Sequence, residues 1–152
     1  MELMRQVSDE DYRHALKSWT FVNLDGKTPI FASPFGDVFF EAVDGFWWLD
    51  IFGGALSRPW STEEGIRSAL HADEGQDHYL MAGLAVAAEQ AGLVLLDGQI
   101  LSFAVPPQLG GPIEVPNIEV RDFAEAVNMV GRIHAQTRNH VRGTRLPAFS
   151  LG

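Results

Sequence analysis

Between residues 35 and 51 the chain reads FGDVFFEAVDGFWWLDI, two aromatic-rich runs on either side of Asp44-Gly45. Asp-Gly is the dipeptide that suits the positive φ angles of a tight hairpin turn, so this stretch predicts an antiparallel strand pair over residues 37–52. Phe46, Trp47 and Trp48 follow one another directly. A strand sends neighbouring side chains to opposite faces, so at least one of these rings points away from the core face. Aromatic surface beside Asp37, Glu41, Asp44 and Asp50 suits recognition better than it suits a reaction centre.

The remaining pattern supplies helices and short strands. Ser8 followed by Asp9, Glu10 and Asp11 predicts a capped helix over residues 8–19. A turn-rich connector follows, with a short strand over 30–32. After Gly53-Gly54 another short strand is expected over 55–59. Ser61 and Glu64, spaced as a capping box ahead of Ile66, Ala69 and Leu70, start a second helix. Tyr79, Leu80, Gly83, Leu84, Ala87 and Ala88 recur at helical spacing and predict one helix over 76–91, closed by Gly92. Its small residues suggest close packing and a central position. Residues 94–96 and 100–105 flank Asp97-Gly98 and read as a second hairpin. An edge strand over 115–120 and a last helix from Asp122 to about Asn139 complete the chain, with an irregular tail over 141–152. Strands and helices come in blocks, which predicts an α+β fold. The expectation is an antiparallel sheet of about five to six strands packed against three to four helices in a single domain.

Composition narrows the function classes. The 152 residues include no cysteine, which excludes disulfides, thiolate nucleophiles and zinc–thiolate sites. No basic, apolar leader and no bilayer-length apolar run is visible, so a cytoplasmic location without membrane attachment is expected. The formal charge is −9, with 14 acidic against 6 basic residues in positions 1–78. Such a chain repels nucleic acid and attracts basic proteins. Arg132, Arg138, Arg142 and Arg145 make a basic end, but without interleaved aromatics they form no nucleic-acid signature.

Catalytic patterns are sparse. The five histidines, at 14, 71, 78, 134 and 140, include no helical metal-ligand pair at the i, i+4 spacing. His71 and His78 flank Asp73, Glu74 and Asp77, a group that reads more readily as a solvated acidic loop opening a helix than as a metal site. Phosphate-cradling glycine loops and a nucleophile elbow are both missing. Carboxylate pairs such as Glu63/Glu64 already have a place in the opening turns of helices. No cofactor and no enzymatic activity is expected.

The ordered set FGDVFFE, DGFWWLD, EGQDHYLMAGL, VPPQLGG, NIEVRDF and GRIHAQ resembles the C-terminal domain of bacterial type VI secretion immunity proteins. These proteins protect a cell from its own DNase effector. The resemblance spans roughly residues 15–140; longer members carry a further domain before the FGD stretch. More distantly, the chain is similar to the broad cell-wall-regulator-like immunity superfamily. The resemblance implies a cytoplasmic α+β protein that binds a toxin without catalysis, and it supplies no catalytic residues. Its matching positions include Gly36, Asp37, Asp50, Gly75, Gln76, Asp77, Tyr79, Pro106, Pro107, Gly110 and Gly111.

Three readings follow, in order of preference. The first is an immunity protein, a monomer or weak homodimer, that neutralises a cognate toxin of the basic nuclease kind. Its partner-binding residues would be Asp37, Glu41, Asp44, Trp47 and Trp48 on the hairpin, with Asp73, Glu74 and Asp77 as a second acidic patch, all on one outer face. The second is a small-ligand or scaffold domain with a pocket between the sheet and the 76–91 helix. The third is an acidic-cluster hydrolase using Asp77 or His78.

Overall fold

The hydrophobic alternation of the central hairpin decides the architecture, because both of its faces are apolar. In a computed structural model that describes residues 1–138, strands β1 (Thr28–Ala32), β2 (Val38–Ala42), β3 (Gly45–Asp50) and β4 (Ala55–Trp60) form an antiparallel sheet in sequential order. Val38, Phe40 and Leu49 face one core, shared with helices α1 (Asp9–Leu16) and α5 (Phe123–Arg138). Phe39, one residue out of phase, faces a second core with Ile66, Leu70 and Leu80 from helices α2 (Glu63–His71) and α3 (Asp73–Leu80). The sheet is therefore covered on both sides. A separate two-stranded sheet, β5 (Gln99–Phe103) and β6 (Ile118–Asp122), carries Leu101, Phe103 and Ile118 into a third core against helix α4 (Ala82–Gln90). The class is α+β, as the blocks of elements predict, with six strands divided four and two and with five α-helices among the described residues.

Both outer strands of the larger sheet are irregular. Pro29 lies opposite Phe40 but Phe31 lies opposite Phe39, so Ile30 is an extra residue bulging out of β1. On the other side Phe46 pairs with Trp60 and Trp48 with Ser57, which leaves a bulge at Arg58-Pro59 in β4. Proline cannot donate to a ladder and belongs at such places. Near the end of β1, Arg5 exchanges two backbone hydrogen bonds with Ala32, at 2.8 and 2.9 Å, and pairs part of that edge.

Several local expectations shift. The first helix is capped by Ser8 as predicted, its Oγ accepting from Asp11 N at 3.2 Å, but ends at Leu16. Trp19 is instead drawn into the core, where its Nε1 donates to Val127 O at 3.0 Å. The hairpin loop is Val43-Asp44 rather than Asp44-Gly45; Gly45 opens β3 at φ 135°. A Cβ there would lie 2.5 Å from Trp60 O, so the glycine serves a close backbone approach. Thr62, not Ser61, caps α2, accepting from Gly65 N at 3.1 Å.

The expected helix over 76–91 is two helices. Met81 adopts the left-handed conformation, φ 51° and ψ 45°, and the chain turns there. Asp77 Oδ1 accepts from Gly83 N at 3.1 Å, giving the new helix start the bond that an unbroken helix would have supplied. Gly92 does close α4, at φ 98°, with Leu93 N bonded to Ala88 O. The predicted second hairpin is absent: Val94 and Leu96 are exposed, and β5 pairs with β6 instead. The central helix is α5, not α4. Its Gly131 lets the segment just after α1 approach, since a Cβ there would stand 2.2 Å from Ser18 Oγ and 2.7 Å from Trp19 Nε1. Gly131→Ala should therefore destabilise the protein by about 1–3 kcal/mol in urea unfolding despite alanine's better helix propensity.

Candidate functional site

The β1 bulge has a direct consequence for the surface. Regular alternation would send Ile30 and Phe31 to opposite faces, but both pack toward the α2 side of the sheet. With Phe46 from β3 and Ile66 and Leu70 from α2 they floor a groove of about 250 Å³. Glu41 lies opposite Phe46 in the β2–β3 ladder, is exposed, and lines this groove. Its side chain makes no ion pair or hydrogen bond among the described residues. Glu63 and Arg67 stand across from it on α2 and hold each other at 2.8 Å, one helical turn apart. His71 Nδ1 donates to Arg67 O at 2.7 Å. The groove thus holds apolar surface and one carboxylate without a counter-charge.

The other predicted residues do not gather on one face. Trp47 packs with the α1/α5 core and Trp48 with the α2/α3 core, on opposite sides of the sheet. Trp47 Nε1 donates to Asp44 Oδ1 at 2.9 Å, and Lys27 Nζ lies 4.3 Å from the Trp47 ring centroid. Arg58 donates to Asp44 O at 2.7 Å. The Trp47 bond, more than Arg58 or Lys27, holds the Asp44 carboxyl below its ordinary pKa. Asp44 is thereby engaged within its own hairpin. Trp48 lies edge-on to Tyr79, with ring centroids 4.8 Å apart, and next to His78. On α3, Asp73 and Glu74 are exposed, while Asp77 is exposed but occupied with Gly83 N.

Asp37 requires a correction. It is a core residue, 3% exposed, and presents no surface to a partner. It lies one residue before β2, beside Trp48 and Asp50. Its Oδ1 accepts from Ile51 N at 3.0 Å. Burial pushes its pKa up to about 8, with the neighbouring Asp50 adding to the rise, while the Ile51 amide pulls it down. The Trp48 indole also favours the charged form, although its buried Nε1 has no partner of proper hydrogen-bond geometry. The opposed pulls leave desolvation dominant. Asp37 helps to fix the β3–β4 loop, which also receives bonds from Gln108 and His134 to Ile51 O and from Arg138 to Gly54 O.

Other positions singled out in the sequence serve the fold. A Cβ on Gly75 would fall 1.8 Å from Ala69 O at the α2–α3 corner, and Gln76 Nε2 donates to Leu70 O at 3.0 Å. A Cβ on Gly111 would fall 1.7 Å from Val105 O. Among the described residues, no group of three or more histidines and carboxylates is placed to hold a metal ion, and no helix is long and apolar enough to cross a membrane.

Sequence reasoning missed Ile30, Ile66 and Arg67 as groove residues. The available signal was Pro29 within a strand, which marks an irregular edge. The groove described here lies beside α2.

The chain matches no protein-family model and no curated protein. A function therefore has to be argued from the groove and the charge around it.

Proposed function

We propose that the chain is a non-catalytic immunity protein that binds and neutralises a basic bacterial toxin in the cytoplasm. A type VI secretion nuclease effector is the partner class suggested by its motifs. The observation that carries the reading is the groove beside α2, where the carboxylate of Glu41, unpaired among the described residues, stands over apolar surface. Exposed Glu64, Asp73 and Glu74 on α2 and α3 add negative charge outside the groove, within a chain of net charge −9. Nucleases carry cationic surfaces to hold phosphate, so such a face would steer onto one and block its substrate groove.

Co-expression with a candidate nuclease should restore growth. A purified 1:1 complex should weaken by about tenfold or more between low and high salt. The double variant Glu41→Lys, Glu74→Lys should abolish rescue while remaining folded. Full rescue by that variant would remove this surface from the interface.

A small-ligand site is the second reading, and the same groove fits it less well. Its volume of about 250 Å³ falls below the roughly 300–1,000 Å³ of drug-sized ligand pockets, which suits one inserted side chain better.

A further inference from the structure

We infer that the groove between β1–β3 and α2 is a seat for one long cationic side chain, a lysine or arginine presented by a partner protein. Its aliphatic stem would lie on Ile30, Phe31 and Phe46, and its head group would meet Glu41. The toxin as source of that side chain rests on the function proposed above; the seat itself does not.

Three features select this occupant. The floor is apolar and formed in the free protein, because the Ile30 bulge turns two successive side chains toward α2 while Ile66 and Leu70 close the far wall. Lysine and arginine are the side chains that bury an apolar stem while keeping a charged end near water. The charge count around the groove favours a cation over an anion: Glu63 and Arg67 neutralise each other at 2.8 Å, leaving Glu41 as the unbalanced charge. An anionic ligand would have to break the Glu63–Arg67 pair and tolerate Glu41. A neutral apolar ligand would gain nothing from that carboxylate.

The seat can be tested on the free chain with n-butylguanidinium, butan-1-ol and butyrate as probes, followed by methyl NMR. Butylguanidinium should produce saturable shifts at the Ile30, Ile66 and Leu70 methyls, with weaker effects from butanol and none from butyrate. Glu41 is exposed and its side chain is unpaired among the described residues, so Glu41→Gln should leave the spectrum folded and weaken butylguanidinium by about three- to fivefold. Equal binding of butanol, preference for butyrate, or an unchanged Kd in Glu41→Gln would each overturn the inference. Loss of the seat alongside intact, salt-sensitive toxin binding would leave the proposed function standing. A confirmed seat in a chain that binds no cationic toxin would remove that function and keep the seat.

Discussion

Replacing Asp37 by asparagine should make the protein more stable than the parent at neutral pH, by a margin that widens as pH rises from about 5 to 8. The folded chain holds the Asp37 carboxyl at a pKa of about 8, chiefly through burial, against an ordinary value of 3.8. Between those values the native state retains a proton that the unfolded chain has released. Stability contributed by this group is thus fully present below about pH 4 and is lost progressively as pH climbs to 8, after which the loss is complete. For one proton the slope is about 1.4 kcal/mol per pH unit, so the advantage of Asp37→Asn should grow by roughly 3 kcal/mol from pH 5 to pH 7. Asparagine can still accept from Ile51 N. Asp50, beside the carboxyl, and His134, whose Nε2 donates to Ile51 O, are present in both proteins. Urea unfolding of both proteins at pH 5, 6, 7 and 8 measures the difference directly. Parallel stability curves would mean that Asp37 titrates normally.

Trp19→Ala should cost about 3–5 kcal/mol, the range for emptying a large aromatic site in a packed core. The indole is 1% exposed and lies where α1 leads into the connector. Its Nε1 bonds to Val127 O, and its ring sits 5.3 Å from Phe21 and 5.5 Å from His134, centroid to centroid. Ser18 Oγ donates to Asn128 O at 2.7 Å just beside it, so the same turn of α5 is held twice. Trp19→Phe should cost less, because it keeps most of the buried ring and loses the N–H bond. A fall in urea midpoint equivalent to less than about 1 kcal/mol for Trp19→Ala would mean that the site collapses around the gap.

The elements readable in the sequence were those specified by neighbours a few residues apart. Ser8 with its acidic first turn, Gly92 at a helix end and the aromatic hairpin all carry their instructions locally. Met81 does not: LMAGLAVAA reads as continuous helix, and the break depends on Asp77 reaching Gly83 N across the corner. Strand β5 pairs with β6, which begins fifteen residues after β5 ends, while Asp97-Gly98 advertised a nearer partner. The candidate surface was only partly legible because a carboxylate in a strand looks exposed until the far face of the sheet is known to be covered. Asp37, just before β2, is sealed, while Glu41 near its far end is open, and nothing in the local sequence separates them. The tail over 141–152 lies outside the described residues.

The outermost strands of the larger sheet each interrupt their ladder at a bulge, at Ile30 beside Pro29 and at Arg58-Pro59. Stacking of copies edge to edge, as in fibrils, needs long uninterrupted rows of free amides, and neither rim offers one. Pairing of copies through the rims of the larger sheet is thereby disfavoured, so that its association with other proteins falls to side-chain contacts.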